Sequence, residues 1–130
     1  MIQFRLDPRS GVSTYLQIVH QVHHAVRLGM LRPGDQLPTV KDVVGSLAIN
    51  PNTVLKAYRE LEHDGLVEGR PGLGTFVLTT VGGPPPDSHG PLRRGLTRWL
   101  RSAFDAGLDL EDVRALFETT LNDRTKEGAA

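Results

Sequence analysis

The sequence of 130 residues contains no cysteine. This absence excludes disulfide bridges, thiolate zinc sites and cysteine nucleophiles, and it fits a reducing compartment. No apolar run reaches the roughly 18 residues that a membrane-spanning helix needs, and the N-terminus MIQFRLDPRS lacks the basic and then apolar layout of a secretion signal. We therefore expect a cytoplasmic protein that makes no contact with a membrane.

An excess of one charge is also missing, since 15 Lys and Arg residues balance 15 Asp and Glu residues. Proteins that coat polyanions indiscriminately usually carry a basic excess. Any contact with nucleic acid must therefore be local. The length supports one compact domain and an appendage.

A catalytic constellation is absent as well, because no nucleophile stands with a base and an orienting group. His20, His23 and His24 include an i, i+4 pair that can bind zinc, but no acid or cysteine accompanies them, so a solvated helix surface is favoured. The stretch GRPGLG lacks the Lys-Ser/Thr that completes a phosphate loop. We predict no enzymatic activity, no cofactor and no metal.

One low-complexity stretch divides the chain. Residues 81–91, VGGPPPDSHGP, are rich in Gly and Pro, which disfavour helix. We predict a domain at residues 1–78, a linker at 79–91 and a tail at 92–130.

The first predicted helix runs from Thr14 to Leu28 and ends at Gly29. Its apolar residues recur at helical spacing and form one wide stripe. The stripe comprises Tyr15, Ile18, Val19, Val22, Ala25 and Val26, opposite Gln17, His20, Gln21, His24 and Arg27.

Two short helices are predicted next, joined by a tight turn. Thr39 is the expected N-cap of the first, with Asp42 in the acidic position of a capping box. Asn50 caps the following helix, and Pro51 suits its first position because the missing N–H would have no intrahelical partner there.

The third helix carries a ridge without acids opposite its apolar side. Successive residues turn by about 100°, which places Asn52, Lys56, Arg59 and His63 within about 60° of one another. Amide and hydroxyl groups suit base edges, and Lys and Arg suit phosphates. The ridge predicts a helix that lies in a DNA major groove; a solvated face is the alternative for one helix taken alone.

Two strands, LVEG at 66–69 and TFVL at 75–78, are predicted to form a hairpin with Arg70, Pro71 and Gly72 at its tip. Helix, turn, helix and hairpin is the order of a winged helix-turn-helix. Arg70 suits a minor-groove or phosphate contact, with a solvated turn residue as the alternative. The predicted fold is mainly α with a small β-hairpin, followed by a two-helix tail.

Residues 33–77, PGDQLPTVKDVVGSLAINPNTVLKAYRELEHDGLVEGRPGLGTFV, resemble the DNA-binding domain of the GntR family of bacterial transcription regulators. With the first helix the resemblance covers residues 10–78. The Leu-Pro-Thr and Asn-Thr-Val helix starts, the Ala-Tyr-x-x-Leu-Glu-x-x-Gly run and the Gly-x-Gly-Thr-Phe-Val wing fall at the family's spacings. The Ile-Asn-Pro-Asn-Thr-Val variant and the short tail resemble the YtrA branch.

The resemblance implies which residues contact DNA. Thr39 and Lys41 match residues that contact phosphate and base, although Lys41 replaces an Arg and cannot repeat its bidentate contact with guanine. Pro51 stands where many members of the family have Arg. Leu55 stands where some branches have an Arg that contacts DNA. Gly72 matches a wing-tip glycine that allows close approach to the DNA backbone. The predicted DNA-binding residues are Thr39, Lys41, Asn50, Asn52, Thr53, Lys56, Arg59, Arg70 and Gly72.

The tail predicts two amphipathic helices, at 92–104 and from 110 to about 122. Two such helices make a poor core, so a second copy of the tail is the simplest partner. Residues 91–104 carry a net charge of +4 and residues 105–130 a net charge of −4, which favours cross-pairing. Faces that merely differ in charge are the alternative. The predicted dimerisation residues are Leu92, Leu96, Trp99, Leu100, Val113, Leu116, Phe117 and Leu121.

Two functions of different classes follow. The first is a homodimeric, sequence-specific repressor that binds an inverted-repeat operator in double-stranded DNA; the resemblance to the YtrA branch implies an ABC transporter operon as its target. The alternative is a winged-helix module that docks protein without specific DNA binding. No convergent polar cluster marks a pocket for a small-molecule effector, so the residues leave an effector open.

Overall fold

The computed structural model describes residues 2–78 and 89–129, which belong to two compact units. The first unit has the order helix, helix, helix, hairpin, and the second contains two helices. The prediction of a mainly helical winged helix-turn-helix with a helical tail is confirmed. The elements are α1 (Thr14–Arg27), α2 (Val40–Leu47), α3 (Pro51–His63), β1 (Val67–Arg70), β2 (Gly74–Val77), α4 (His89–Asp105) and α5 (Leu110–Ala129).

The core of the first unit surrounds α3, which packs against α1, α2 and β1. Of the predicted α1 stripe, every residue except Tyr15 is buried, and Tyr15 is half-buried at its edge. Full burial of an aliphatic side chain stabilises a fold by about 1.5–3 kcal/mol. The side chains with no exposed surface are Ile18, Val22, Val54, Ala57 and Leu61.

Both predicted N-caps are confirmed. The Thr39 hydroxyl oxygen accepts a hydrogen bond from the Asp42 N–H at 3.1 Å. The Asn50 side-chain oxygen accepts one from the Asn52 N–H at 2.8 Å, directly before Pro51. These bonds satisfy N–H groups that have no partner within their own helix, and they set where α2 and α3 begin.

The angle between α2 and α3 is fixed at two points. Ala48 ends α2 in the left-handed region, with φ of 54°, and so turns the chain towards α3. The Tyr58 hydroxyl of α3 donates to the Pro38 carbonyl ahead of α2 at 2.6 Å. Burial, and then the nearby carboxylate of Asp42, raise the pKa of Tyr58, so its hydroxyl stays protonated and remains a donor.

The hairpin is wider than the two strands that the sequence predicted. β1 and β2 pair antiparallel from Val67 opposite Val77 to Arg70 opposite Gly74. The loop ahead of α2 adds to the free edge of β2: the Leu37 N–H donates to the Thr75 carbonyl, and the Val77 N–H donates to the Asp35 carbonyl, both at 2.8 Å. The wing is therefore tied to the polypeptide that leads into α2.

The N-terminal segment packs on α1, which the sequence did not predict. Phe4 is buried in the core. Gln17 and Gln21 were expected to face solvent, yet both are half-buried: Gln21 exchanges two hydrogen bonds with the backbone of Arg5, and Gln17 accepts one from the N–H of Asp7. The glutamines replace the backbone partners that this irregular segment lacks.

Helix α4 begins earlier than predicted, and α5 begins at Leu110 as predicted but ends later. α4 starts at His89 and thus includes residues 89–91 of the expected linker; the rest of that linker, 79–88, lies outside the described residues. Pro91 is accommodated because the N–H groups of a first helical turn have no intrahelical partners. α5 continues to Ala129 through Arg124 and Lys126, which favour helix but are not apolar and so give no stripe that would reveal it.

Across residues 2–78 and 89–129, no helix combines the length and the apolar character needed to cross a bilayer.

Candidate nucleic-acid interface

The predicted ridge of α3 lies on the surface as a continuous row. Asn52, Lys56, Arg59 and His63 are all exposed, while the opposite side of the helix lies in the core. The helix is anchored through its apolar side, so the ridge is free to face a groove. In order from the N-terminus, the row offers an amide and then two cations.

Lys56 is held by a residue of another helix. Its ammonium lies 4.0 Å from the centroid of the Tyr15 ring of α1. A cation over an aromatic face gains about 0.5–1 kcal/mol at exposed sites. Tyr15 therefore restricts a flexible side chain whose charge suits a phosphate. The sequence placed Tyr15 in the core stripe, and periodicity carried no signal of this second contact.

Two predicted DNA contacts also cap helices, and this limits what they can offer. The oxygens of Thr39 and Asn50 each accept a backbone N–H. The hydroxyl proton of Thr39 and the side-chain NH₂ of Asn50 remain as donors. Both residues are exposed at helix N-termini. They suit the acceptor oxygens of phosphate, which a helix N-terminus also favours.

Lys41 and Thr53 lie close in sequence to these caps. Lys41 is exposed in the first turn of α2. Thr53 is half-buried, so only part of its side chain is accessible to a ligand. Lys41 thus adds an accessible cation two residues after Thr39. Burial limits the contacts that Thr53 can make with a ligand.

Arg70 is not at the hairpin tip, which corrects the prediction. It is the last residue of β1, and the turn is formed by residues 71–73. Its Nε donates to a carboxylate oxygen of Glu68 at 3.1 Å, and its guanidinium lies 4.6 Å from the centre of the Phe76 ring. Pairing moves Arg70 back from the tip because the strands remain in register up to Gly74. The guanidinium is preorganised, but Glu68 neutralises part of its charge.

Gly72 occupies a backbone conformation that disfavours other residues. Its φ is 77°, and a hydrogen bond of 2.9 Å from the Leu73 N–H to the Arg70 carbonyl closes the turn. With Pro71 before it, this is the arrangement of a type II turn. A Cβ at Gly72 would meet nothing within 4 Å in the free protein. The open space lets a sugar-phosphate edge approach the backbone.

A groove of about 630 Å³ lies between the head of α2, α3 and the wing. Thr39 stands on one wall, and residues 69–75 form the other. Glu62 of α3 also lines the groove, where its carboxylate would repel a phosphate that entered deeply. Polyanion contacts are therefore best placed on the rims.

His23 of α1 contacts a carboxylate just after α3. Within residues 2–78 and 89–129, no cluster of three or more His, Cys, Asp or Glu side chains could hold a metal ion. The His23 Nε2 instead lies 3.2 Å from a carboxylate oxygen of Asp64, just after α3. This contact joins α1 to the residue that follows α3.

The predicted dimerisation residues are largely exposed in the single chain. Leu92 is 73% exposed and Leu121 is 55% exposed. Val113 differs, since it is 5% exposed and so is already buried within its own tail, and Leu100 is half-buried. An apolar groove of about 380 Å³ runs along the exposed surface. Among the residues that line it are Leu96, Trp99, Leu116, Phe117 and Leu121.

Comparison with known proteins identifies the family. Residues 14–77 match the family described as bacterial regulatory proteins, gntR family. The chain is 44% identical over 118 residues to the HTH-type transcriptional repressor YtrA of Bacillus subtilis strain 168, which covers 87% of this chain and 86% of that protein.

Solved structures show the same fold. A transcriptional antiterminator from Listeria monocytogenes EGD-e superposes with a TM-score of 0.57 and 26% identity, covering 94% of this chain and 92% of that one. The AraR DNA-binding domain in complex with operator ORX1 has a TM-score of 0.50 and 25% identity, covering 59% and 92%. The chain therefore belongs to the GntR family of bacterial regulatory proteins, which are DNA-binding transcription regulators and not enzymes.

Proposed function

We propose that this regulator acts in the cytoplasm as a homodimeric repressor that binds an inverted-repeat operator. Each protomer places α3 in the major groove of one half-site. The observation that carries the proposal is the acid-free, exposed ridge of α3, flanked by capping donors on one side and by a glycine-tipped wing on the other. The AraR domain, which shares the fold, is seen in complex with an operator.

The residues divide into two roles. Asn52 at the head of α3, with the accessible part of Thr53, reads base edges. Lys56 and Arg59 neutralise phosphates farther along the helix, and Lys41 adds a backbone contact from α2. The remaining contacts to the DNA backbone come from Thr39 and Asn50 at the helix starts and from Arg70 and Gly72 in the wing.

The tail supplies the dimer. Its exposed apolar residues form one surface, and no stable fold leaves a large apolar face in water without reason. A second copy covers this surface and brings two recognition helices onto one duplex. The net charges of the two tail segments, +4 and −4, favour an arrangement in which α4 of one protomer lies beside α5 of the other.

Repression is proposed from the similarity to the Bacillus subtilis repressor, of which the chain covers 86% at 44% identity. Control of an ABC transporter operon is the corresponding target proposal, from the resemblance to the YtrA branch.

The test is selection from random DNA duplexes by the purified protein at near-physiological salt, followed by sequencing. An inverted repeat with half-site centres about 10 bp apart, or a multiple of that spacing, is the expected result. A half-site without its inverted partner would contradict the dimer. No enrichment by folded, dimeric protein would contradict specific DNA binding and favour a protein-docking module.

Matched variants test whether the ridge contacts the DNA backbone. Removal of two phosphate contacts in Lys56→Ala/Arg59→Ala is expected to lower affinity and to reduce the slope of log affinity against log salt by about 2. Glu60→Ala removes a charge from the same helix without removing a cation, and it serves as the control. An unchanged slope in the double variant would show that the ridge does not touch phosphates.

A further inference from the structure

One side chain joins the wing tip to the segment that enters α2. The side-chain NH₂ of Gln36 donates to the Leu73 carbonyl at 3.2 Å. Gln36 also pairs with Phe76 as an isolated antiparallel bridge, so its backbone is fixed beside β2. The Gln36 amide therefore contacts the wing tip from a backbone position that β2 holds in place.

The wing is shaped around this amide. Gly74, the residue after Leu73, has φ of 128°, and a Cβ there would lie only 2.5 Å from the Gln36 nitrogen. A Cβ at position 74 would displace the end of the Gln36 side chain and so weaken its hydrogen bond to Leu73. The Leu73 carbonyl thus accepts from the Gln36 amide, and Gly74 leaves room for that amide.

The same donor sets the distance between two predicted backbone contacts. Gln36 precedes the N-cap Thr39 by three residues, and Leu73 directly follows the tip glycine Gly72. Thr39 and the wing form opposite walls of the groove of about 630 Å³. The hydrogen bond from Gln36 to Leu73 joins the segment that leads into Thr39 to the wing, and so it restrains how far the two can separate.

From this geometry we propose that Gln36 is a positioning residue for DNA binding. Its amide holds the wing tip at the spacing at which Thr39 and the wing contact the backbone of one duplex together. Gln36 itself makes no contact with DNA in this role. The inference rests on the proposed function and adds a residue that sets the geometry of the site.

The isosteric change Gln36→Met tests the role without adding charge. Loss of one neutral hydrogen bond should lower operator affinity about two- to tenfold. Because the wing cation Arg70 then loses its phosphate contact, the salt slope should fall by at most about 1. Hydroxyl-radical footprints should lose protection at the wing and keep it where α3 lies in the major groove. Gly74→Ala displaces the amide and also strains a backbone with φ of 128°, so it should lose at least the same protection at the wing.

Gln21→Met is the matched control, because the Gln21 amide also donates to a backbone carbonyl, that of Arg5, at 2.6 Å. It should lower thermal stability at least as much, because Gln21 also accepts a hydrogen bond from the Arg5 N–H, and it should leave operator affinity unchanged. In a double-mutant cycle, Gln36→Met should cost less affinity when Arg70 is already alanine, since both changes then weaken the same wing contact.

The outcomes separate the two proposals. Wild-type affinity and footprint in Gln36→Met, or equal affinity losses in both glutamine variants, would overturn the positioning role while the regulator still binds its operator. A wild-type protein that enriches no DNA would overturn the proposed function and the positioning role with it.

Discussion

The two units of this regulator both contain amphipathic helices, but they bury the apolar faces of these helices to different degrees. In residues 2–78 one connected core buries side chains from all three helices and both strands. In residues 89–129 only Ala103 and Val113 are buried among the described hydrophobic side chains. The first unit therefore contains a complete core, whereas the tail leaves most of its large apolar side chains exposed. Amphipathic spacing shows which face of a helix is apolar but does not show whether its partner is on the same chain.

The largest effect is expected in the complete core. Leu61→Ala removes a side chain with no exposed surface, and such truncations cost about 2–5 kcal/mol. Thermal unfolding should show a lower Tm at every protein concentration. Leu96→Ala in the tail is the comparison: its effect on Tm should depend on protein concentration, because it weakens association. Concentration-independent losses in both variants would mean that the tail core is complete within one chain.

The next largest effect is expected on dimerisation, from a substitution at one exposed residue of the tail. Phe117→Asp places a charge on the apolar surface, and loss of an interface anchor costs about 2 kcal/mol or more, which weakens dimerisation about 30-fold or more. Sedimentation should show monomers at concentrations where the wild type is dimeric. Thr119→Asp, also exposed on α5, should leave the dimer intact. A dimeric Phe117→Asp protein would place the interface elsewhere.

A smaller effect is expected at the joint between α2 and α3. Tyr58→Phe removes the donor to the Pro38 carbonyl, and loss of a buried partner costs about 1–3 kcal/mol. Chemical denaturation should show reduced stability with an unchanged m-value. Stability equal to that of the wild type would mean that apolar packing alone fixes this angle.

The smallest effect concerns affinity and not stability. Tyr15→Leu removes the ring under Lys56, and we expect operator binding to weaken about two- to fivefold. Tyr15→Phe keeps the aromatic face and should retain most of the affinity. Fluorescence anisotropy on labelled operator measures both. Equal losses in the two variants would assign the effect to the hydroxyl and would reject the cation–ring contact.

Elements governed by neighbouring residues were predictable from the sequence. The caps at Thr39 and Asn50 depend on contacts two or three residues away, and the α3 ridge depends on helical period, so both follow from local spacing. The family spacing supplied the candidate DNA contacts, which stay predictions.

Contacts between distant segments were not predictable in this way. Gln17 meets the N-terminal segment, Lys56 meets Tyr15, and Gln36 meets Leu73, and each pair joins residues whose separation follows no helical or strand period. The placement of Arg70 failed for a related reason. Strand register decides where a turn begins, and register depends on pairing across the hairpin.

The proposed DNA contacts of Thr39 and Asn50, together with their capping role, would restrict how operator recognition can evolve. A residue at either position needs a side-chain oxygen that accepts a backbone N–H, which favours Ser, Thr, Asn and Asp. Asp would also bring a negative charge towards phosphate, which leaves Ser, Thr and Asn as the compatible set. Lys41 and Leu55 carry no such structural duty in capping. New operator sequences should therefore be acquired through changes at positions 41 and 55, while the two caps vary only within their small set.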